Sequence, residues 1–253
     1  MSLPSSVVHY TSVDVLSILL NGALTSSSGD IVFHLSQLAM MNDSGEGKYL
    51  LDRFYTNSLH KTALKQDWDK NYYPTHIPFI LSTIATNKDT RNRGSLPMWK
   101  MYGDDCRGAL IRFDRLKLEK YCKTKKLKFL QCKYRTVQEV NALVADFNKE
   151  EVEFDKLMLE SCITKQMCWN YENEWRIIAY SSKENIKTKS TSRGLVEYIE
   201  LALPIDLIEE ICLGPLCDKD NTFQSLSLMK DKLIDKHGDK MHFKISQSTI
   251  SLK

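Results

Sequence analysis

The sequence lacks most of the patterns that mark a reaction class. It has no G-x-G-x-x-G and no G-x-x-x-x-G-K-[ST] loop, so a conventional nucleotide-binding domain is not expected. No G-x-S-x-G elbow supports a serine or cysteine hydrolase. The six histidines, His9, His34, His60, His76, His237 and His242, are scattered without H-x-H, H-x-D or H-E-x-x-H spacing, which argues against a metal-dependent phosphodiesterase. Seven cysteines include no C-x-x-C and no Cys/His ligand spacing, so they read as buried free thiols in a reducing compartment. No run approaches ~18 uninterrupted apolar residues, so no membrane-spanning helix is expected. The N-terminal MSLPSSVVHYTS has no basic segment followed by an apolar one; no signal peptide is expected, and the protein reads as cytoplasmic. There is no internal repeat and no low-complexity tract.

What is present is ordinary in bulk. A chain of 253 residues, 42% hydrophobic and 26% charged, suits one domain over residues 1–253 with a sizeable core. A net charge of +3 and a pI near 8.3 are too mild to imply nucleic acid or an anionic membrane. The strongest local bias is RLKLEKYCKTKKLK at 115–128, basic but interrupted.

Periodicity predicts an α+β chain with short strands spread along it. VVHYT (7–11) reads as a strand, and Thr11 with Asp14 as a capping pair for a helix that Gly22 stops. A helix is expected over Lys48–Leu64, an inner strand over IPFILSTIAT (77–86), a helical turn over Pro97–Tyr102 and a strand over GALIRFD (108–114). Residues 128–134 predict a strand and 136–160 the longest helix. A polar loop covers 181–194, strands 195–203 and 208–214, a helix 220–236 and a strand 241–246.

The stretch WNYENEWRIIAY (169–180) carries the sharpest chemical signal. Read as a strand, it puts Glu172, Glu174, Arg176 and Ile178 on one face and Asn173, Trp175, Ile177 and Ala179 on the other. Its two carboxylates would then stand about 6.6 Å apart. This ledge is either a solvated ladder of surface charges or a reaction site. Trp99 and Tyr102 in PMWKMYG share one face of a helical turn, an arrangement that more often packs a core than binds a ring. His9 beside Tyr10 is likewise more often a satisfied core histidine than a functional one. Asn42, Asp43 and Glu46 suit a turn and a helix cap.

Taken together, HYT, NDSGE, ILSTIA, MWKMYG, GALIRFD, YENEWRI and EEICLG resemble a large bacterial family of domains without assigned function. The resemblance spans roughly residues 7–215 and rests on the order and spacing of these motifs. That family in turn looks like a distant relative of the ADP-ribosyltransferases. The resemblance implies a split β-sheet with peripheral helices, an early strand bearing His9, a middle strand bearing Ser82, and a late strand bearing Glu174 as catalytic residue. Thr83 and Tyr102 remain alternatives for the middle position. Glu172 matches the first Glu of the E-x-E found in arginine-modifying members, but the pairing of E-x-E with a histidine mixes two subclasses, so the acceptor type stays open. NAD would be the substrate, and a protein or nucleic acid the acceptor. Members of the resembled family occur in bacterial toxin and phage-defence settings, which suggests a cellular target.

The residue chemistry fits that implication. Cleavage of the nicotinamide–ribose bond passes through an oxocarbenium-like cation, which a fixed carboxylate stabilises. Glu174 is expected in that role, Glu172 as the group that orients or deprotonates the nucleophile, and His9 on the ribose hydroxyls. His9, Tyr10, Thr11, Ser82, Trp99, Tyr102 and Arg176 form the expected NAD-binding set. In it the aromatic rings face the nicotinamide, and Arg176, or Arg91 and Arg93, meet the pyrophosphate. Two alternatives share the cleft: an NAD glycohydrolase, and a non-catalytic module that binds nucleotide or nucleic acid through 115–128.

Overall fold

The computed structural model describes residues 3–40, 48–57, 76–86, 94–149, 154–191, 194–238 and 242–251. Its elements run β1 (Ser6–Thr11), α1 (Val13–Thr25), β2 (Ile31–Gln37), α2 (Lys48–Asn57), β3 (Ile77–Ala85), α3 (Leu96–Tyr102), β4 (Ala109–Asp114) and α4 (Arg115–Thr124). Then follow β5 (Lys128–Gln131), β6 (Lys133–Arg135), α5 (Val137–Lys149), α6 (Phe154–Ile163), β7 (Thr164–Gln166), a 3-10 turn (Met167–Glu172) and β8 (Glu174–Ser181). The hairpin β9 (Lys187–Thr191) and β10 (Gly194–Leu203), then β11 (Ile208–Leu213), α7 (Lys219–His237) and β12 (Lys244–Gln247), close the chain. The class is α+β. No helix among the described residues is long and apolar enough to cross a membrane.

Two compact units interleave along the chain. The first takes Met1–Phe33, Thr83–Lys125 and Leu201–Lys253; the second takes His34–Ser82 and Lys126–Glu200.

In the first unit, β1 pairs antiparallel with β4 from Ser6↔Asp114 to Thr11↔Ala109, and with the end of β3 at Val7↔Ala85 and Val8↔Ile84. β4 pairs antiparallel with β11, and β11 parallel with β12, so this sheet is mixed. Strand alternation sends Val8 and Tyr10 to one face and Val7, His9 and Thr11 to the other. The face of Tyr10 is apolar, built with Met98, Trp99, Cys106, Leu110 and Cys212. On the opposite face His9 meets Phe33 edge-on, and Phe33 meets Phe113.

Between α3 and β4 the chain makes a left-handed turn in which Asp104, Asp105 and Cys106 all have positive φ (50°, 47° and 71°). Such a run is costly for L-residues. It is held by the carbonyl of Trp99, which accepts from the N–H of Gly103 at 3.1 Å and of Cys106 at 3.0 Å, and by the N–H of Gly108 donating to the Gly103 carbonyl at 2.8 Å. The turn brings backbone against backbone. A Cβ on Gly108 would strike the Thr11 and Gly103 carbonyls, and one on Gly214 the Cys106 carbonyl.

In the second unit, β5 pairs antiparallel with β8 from Lys128↔Ile178 to Gln131↔Trp175, and β2 pairs with β3 at Ser36↔Ile80 and Gln37↔Phe79. At Cys132, whose N–H donates to the Glu174 carbonyl at 2.9 Å, the chain leaves β8; β6 then pairs parallel with β7. Two apolar clusters back this framework. One joins Leu38, Ile80, Met158, Cys162, Ile163 and Ile178; the other joins Leu50, Phe54, Val140, Val144, Phe147 and Leu157.

Several local expectations change. The helix expected over 136–160 is two helices, because the apolar stripe Val140, Val144, Phe147 meets a glutamate at position 151 where its next member should stand. The strand expected over 128–134 is two strands with different partners. The loop expected over 181–194 contains β9. Ser12, not Thr11, caps α1 by accepting from the Val15 N–H at 3.2 Å, and Gly22 lies inside that helix, which runs to Thr25. Asn42, Asp43, Glu46, Arg91, Arg93 and the expected helix end at 58–64 lie outside the described residues.

Two glycine substitutions should act in opposite directions. Gly108→Ala forces a methyl onto fixed carbonyls and should lower the first unit's unfolding free energy by roughly 1–3 kcal/mol. Gly22→Ala, with nothing within 4 Å of the added carbon in a helix interior, should raise it by about 0.5–1 kcal/mol. Denaturant titrations of the two variants check both signs.

Candidate functional site

The charged ledge of 172–176 exists, but it is neither a ledge nor on the surface. Glu172, Glu174 and Arg176 are exposed by 3%, 3% and 0%. Arg176 reaches back along its own face of β8 to Glu174, donating from Nε to Oε1 at 2.8 Å and from Nη2 to Oε2 at 3.1 Å, and its Nη1 donates to the Cys162 carbonyl at 2.5 Å. Glu172 lies outside the strand, at the end of the 3-10 turn, and Asn173 after it adopts a left-handed conformation (φ 48°, ψ 51°). That kink replaces the expected E-x-E ladder. It aims both carboxylates at one ammonium, that of Lys165 on β7, which donates to Glu172 Oε2 at 2.6 Å and to Glu174 Oε2 at 2.9 Å.

Around this core stand three further groups of the same unit. Lys165 Nζ lies 5.7 Å from the centre of the Trp169 ring, which sits 6.0 Å from that of Tyr171. The Glu174 N–H donates to the Tyr134 hydroxyl at 2.7 Å, and the Ser82 hydroxyl also favours the charged form of Glu174. Burial pushes the Glu174 carboxyl upward, but the charges of Arg176 and Lys165 outweigh it and hold the group down to about 2. Burial pushes the Tyr134 phenol up, against the hydrogen bond from Glu174. The network therefore holds two anions and two cations in contact, with Trp169 and the half-exposed Tyr171 beside it.

The remaining expected site residues fall in the first unit. Tyr10 and Trp99 pack edge-on at 5.0 Å and 90°, Tyr102 packs against the same cluster, and the Tyr10 hydroxyl accepts from the Ser95 N–H at 2.9 Å. Burial raises the Tyr10 phenol to about 12. Trp99 is fully buried, so its ring faces are filled by protein and do not flank a nicotinamide. His9 and Thr11 point to the other face of β1, so His9 and the Tyr10–Trp99 pair do not line one pocket wall. Arg176, completely enclosed, is engaged by Glu174 and Cys162 rather than set out for a pyrophosphate.

Two features escaped the sequence reading. Lys165 is a single lysine with no local pattern; its signal is charge arithmetic, because an E-x-E on a buried face next to one arginine lacks a cation. In the first unit, Arg112 donates from Nε to Glu210 Oε2 at 2.9 Å and from Nη1 to Thr86 Oγ1 at 3.2 Å, and Ser246 donates to Glu210 Oε1 at 2.6 Å. Arg112 and Glu210 are direct cross-strand partners, each a charge amid apolar strand residues. The basic run 115–128 is less basic than it reads: Arg115 is buried on the Pro4 carbonyl and Glu119, and Lys123 pairs with Glu119.

The depressed Glu174 carboxyl fixes a pH dependence. A carboxylate held below its ordinary range stabilises the fold above pH ~4.5, and that stabilisation is lost as pH falls toward 2. The wild-type protein should lose on the order of 3 kcal/mol between those limits through this group. The stability gap between wild type and Glu174→Gln should close over the same interval, as followed by urea unfolding at stepped pH; parallel profiles would contradict the assignment.

Residues 98–177, from α3 into β8, match the family described as "Protein of unknown function (DUF2971)". The matched segment holds Trp99, Tyr102, Lys165, Glu172, Glu174 and Arg176 and leaves out His9, Tyr10, Thr11 and Ser82. No curated protein matches the chain.

Proposed function

We propose that this chain is an NAD-consuming ADP-ribosyltransferase in which Glu174 is the carboxylate that stabilises the ribose cation. The observation that carries the reading is the convergence of two carboxylates, Glu172 and Glu174, on one point, with Glu174 ionised and held in one orientation by a two-pronged arginine contact. A fixed negative charge that needs no reorganisation is what an oxocarbenium-like transition state rewards. Glu172 enters from a different backbone segment and activates the acceptor nucleophile. The strand order adds support for a split sheet. β3 has β1, β2 and β8 as partners, and a strand has two edges, so the partner along one edge changes over its length.

In this reading ADP-ribose passes to a protein or nucleic acid in a toxin or phage-defence setting, and water as acceptor makes the enzyme an NAD glycohydrolase. One observation favours a non-catalytic reading. A carboxylate offers about four lone-pair directions, and three of those on Glu174 meet Arg176 and Lys165. There the network is a structural staple under a nucleotide-binding surface.

Labelled NAD separates these readings. The wild-type protein should release nicotinamide and carry label into protein or nucleic acid of a cell lysate, and Glu174→Gln should cut that release by at least ~100-fold while keeping its far-UV circular dichroism. Release without macromolecular label identifies the glycohydrolase. Turnover that survives intact in a folded Glu174→Gln variant, or no turnover in the wild type, sinks the enzyme proposal.

A further inference from the structure

We infer that Lys165 is the positioning residue of the carboxylate pair: its ammonium, shared by Glu172 and Glu174, is what keeps both acids charged and aimed at one point. The inference stands on geometry. Glu172 and Glu174 approach the same nitrogen, so their Oε2 atoms lie no farther apart than the sum of its two contacts, 2.6 and 2.9 Å. Two carboxylates that close, each exposed by only 3%, repel strongly, and without a cation between them one takes up a proton. Arg176 protects Glu174 through two hydrogen bonds, so Glu172 is the group that loses its charge when the ammonium is removed.

The surroundings agree. The titratable and charged groups around the network come from four elements: Cys162 from α6, Tyr134 from β6, Tyr171 and Glu172 from the 3-10 turn, and Glu174 with Arg176 from β8. Burial pushes Tyr134, Tyr171 and Cys162 upward, toward their neutral forms. The Trp169 ring over Lys165 Nζ gives the ammonium a further favourable contact, through its negative face. Lys165 thereby ties β7 to both the 3-10 turn and the start of β8, the two segments that carry the acids.

The electrostatic assignment is independent of the NAD reading; only its catalytic consequence rests on it. The experiment observes glutamate side-chain carboxyl carbons by NMR across pH in wild type, Lys165→Met and Lys165→Arg. In the wild type neither network carboxyl should titrate between about pH 5 and 8, and in Lys165→Met one, removed by the further change Glu172→Gln, should titrate there. Lys165→Arg, which restores a cation, should return the wild-type pattern. If Lys165→Met unfolds, the double variant Lys165→Met/Glu172→Gln should regain melting temperature over the single one, because it removes the stranded charge. A folded Lys165→Met with both carboxyls still ionised through that range overturns the inference, as does a double variant no more stable than the single. Normal titrations in a protein that does not consume NAD would leave Lys165 assigned and the enzyme proposal refuted.

Discussion

Charge balance inside the second unit is the constraint from which the rest follows. An isolated carboxylate cannot be taken out of water cheaply; it must be paired and hydrogen-bonded, or it accepts a proton. Here two carboxylates are taken in together, and the chain answers with two cations from different segments, Arg176 on the same strand and Lys165 seven and nine residues earlier. Meeting that demand dictates local structure. Glu172 must turn out of the strand to reach Lys165, which is why Asn173 is left-handed and why β8 begins at Glu174. Asparagine suits that position, since its short polar side chain tolerates the left-handed region better than most residues.

The same demand reaches the packing around the site. Arg176 hands its remaining donor to the Cys162 carbonyl at the end of α6, so the helix that builds the apolar cluster of Met158 and Ile163 is tethered to the charge network. Tyr134 on β6 receives the Glu174 N–H, and Cys132 donates to the Glu174 carbonyl. Glu174 is thus fixed through its backbone as well as its side chain. A carboxylate that cannot rotate is a good electrostatic catalyst and a poor flexible ligand, and this rigidity is the physical content of the proposed role.

Much of this was legible in the sequence, and the illegible parts have physical causes. The first strand, the inner strand near 77–86 and the strands at 108–114 and 208–214 announce themselves by β-branched and apolar runs. The chemical weight of 172–176 was also visible, because two glutamates and an arginine beside apolar residues are out of place. Their geometry was not visible: a period of two extends smoothly through Asn173, and only the pull of Lys165 breaks it. Lys165 itself has no local signature, since its partners are chosen by tertiary structure. The Trp99 and Tyr10 rings illustrate the reverse case. Read as ring-binding candidates, they are consumed by each other, the commonest fate of a buried aromatic pair. Arg112 and Glu210 needed a strand register that no local pattern supplies.

The account makes Glu174 and Arg176 one unit rather than two neighbours, and a double-mutant cycle measures that directly. Unfolding free energies of wild type, Glu174→Gln, Arg176→Met and the double variant should yield a coupling of at least ~2 kcal/mol, with the double variant less damaged than the sum of the single ones. Additivity within about 0.5 kcal/mol would mean that the two groups do not depend on each other, and would contradict the buried network on which the site is built.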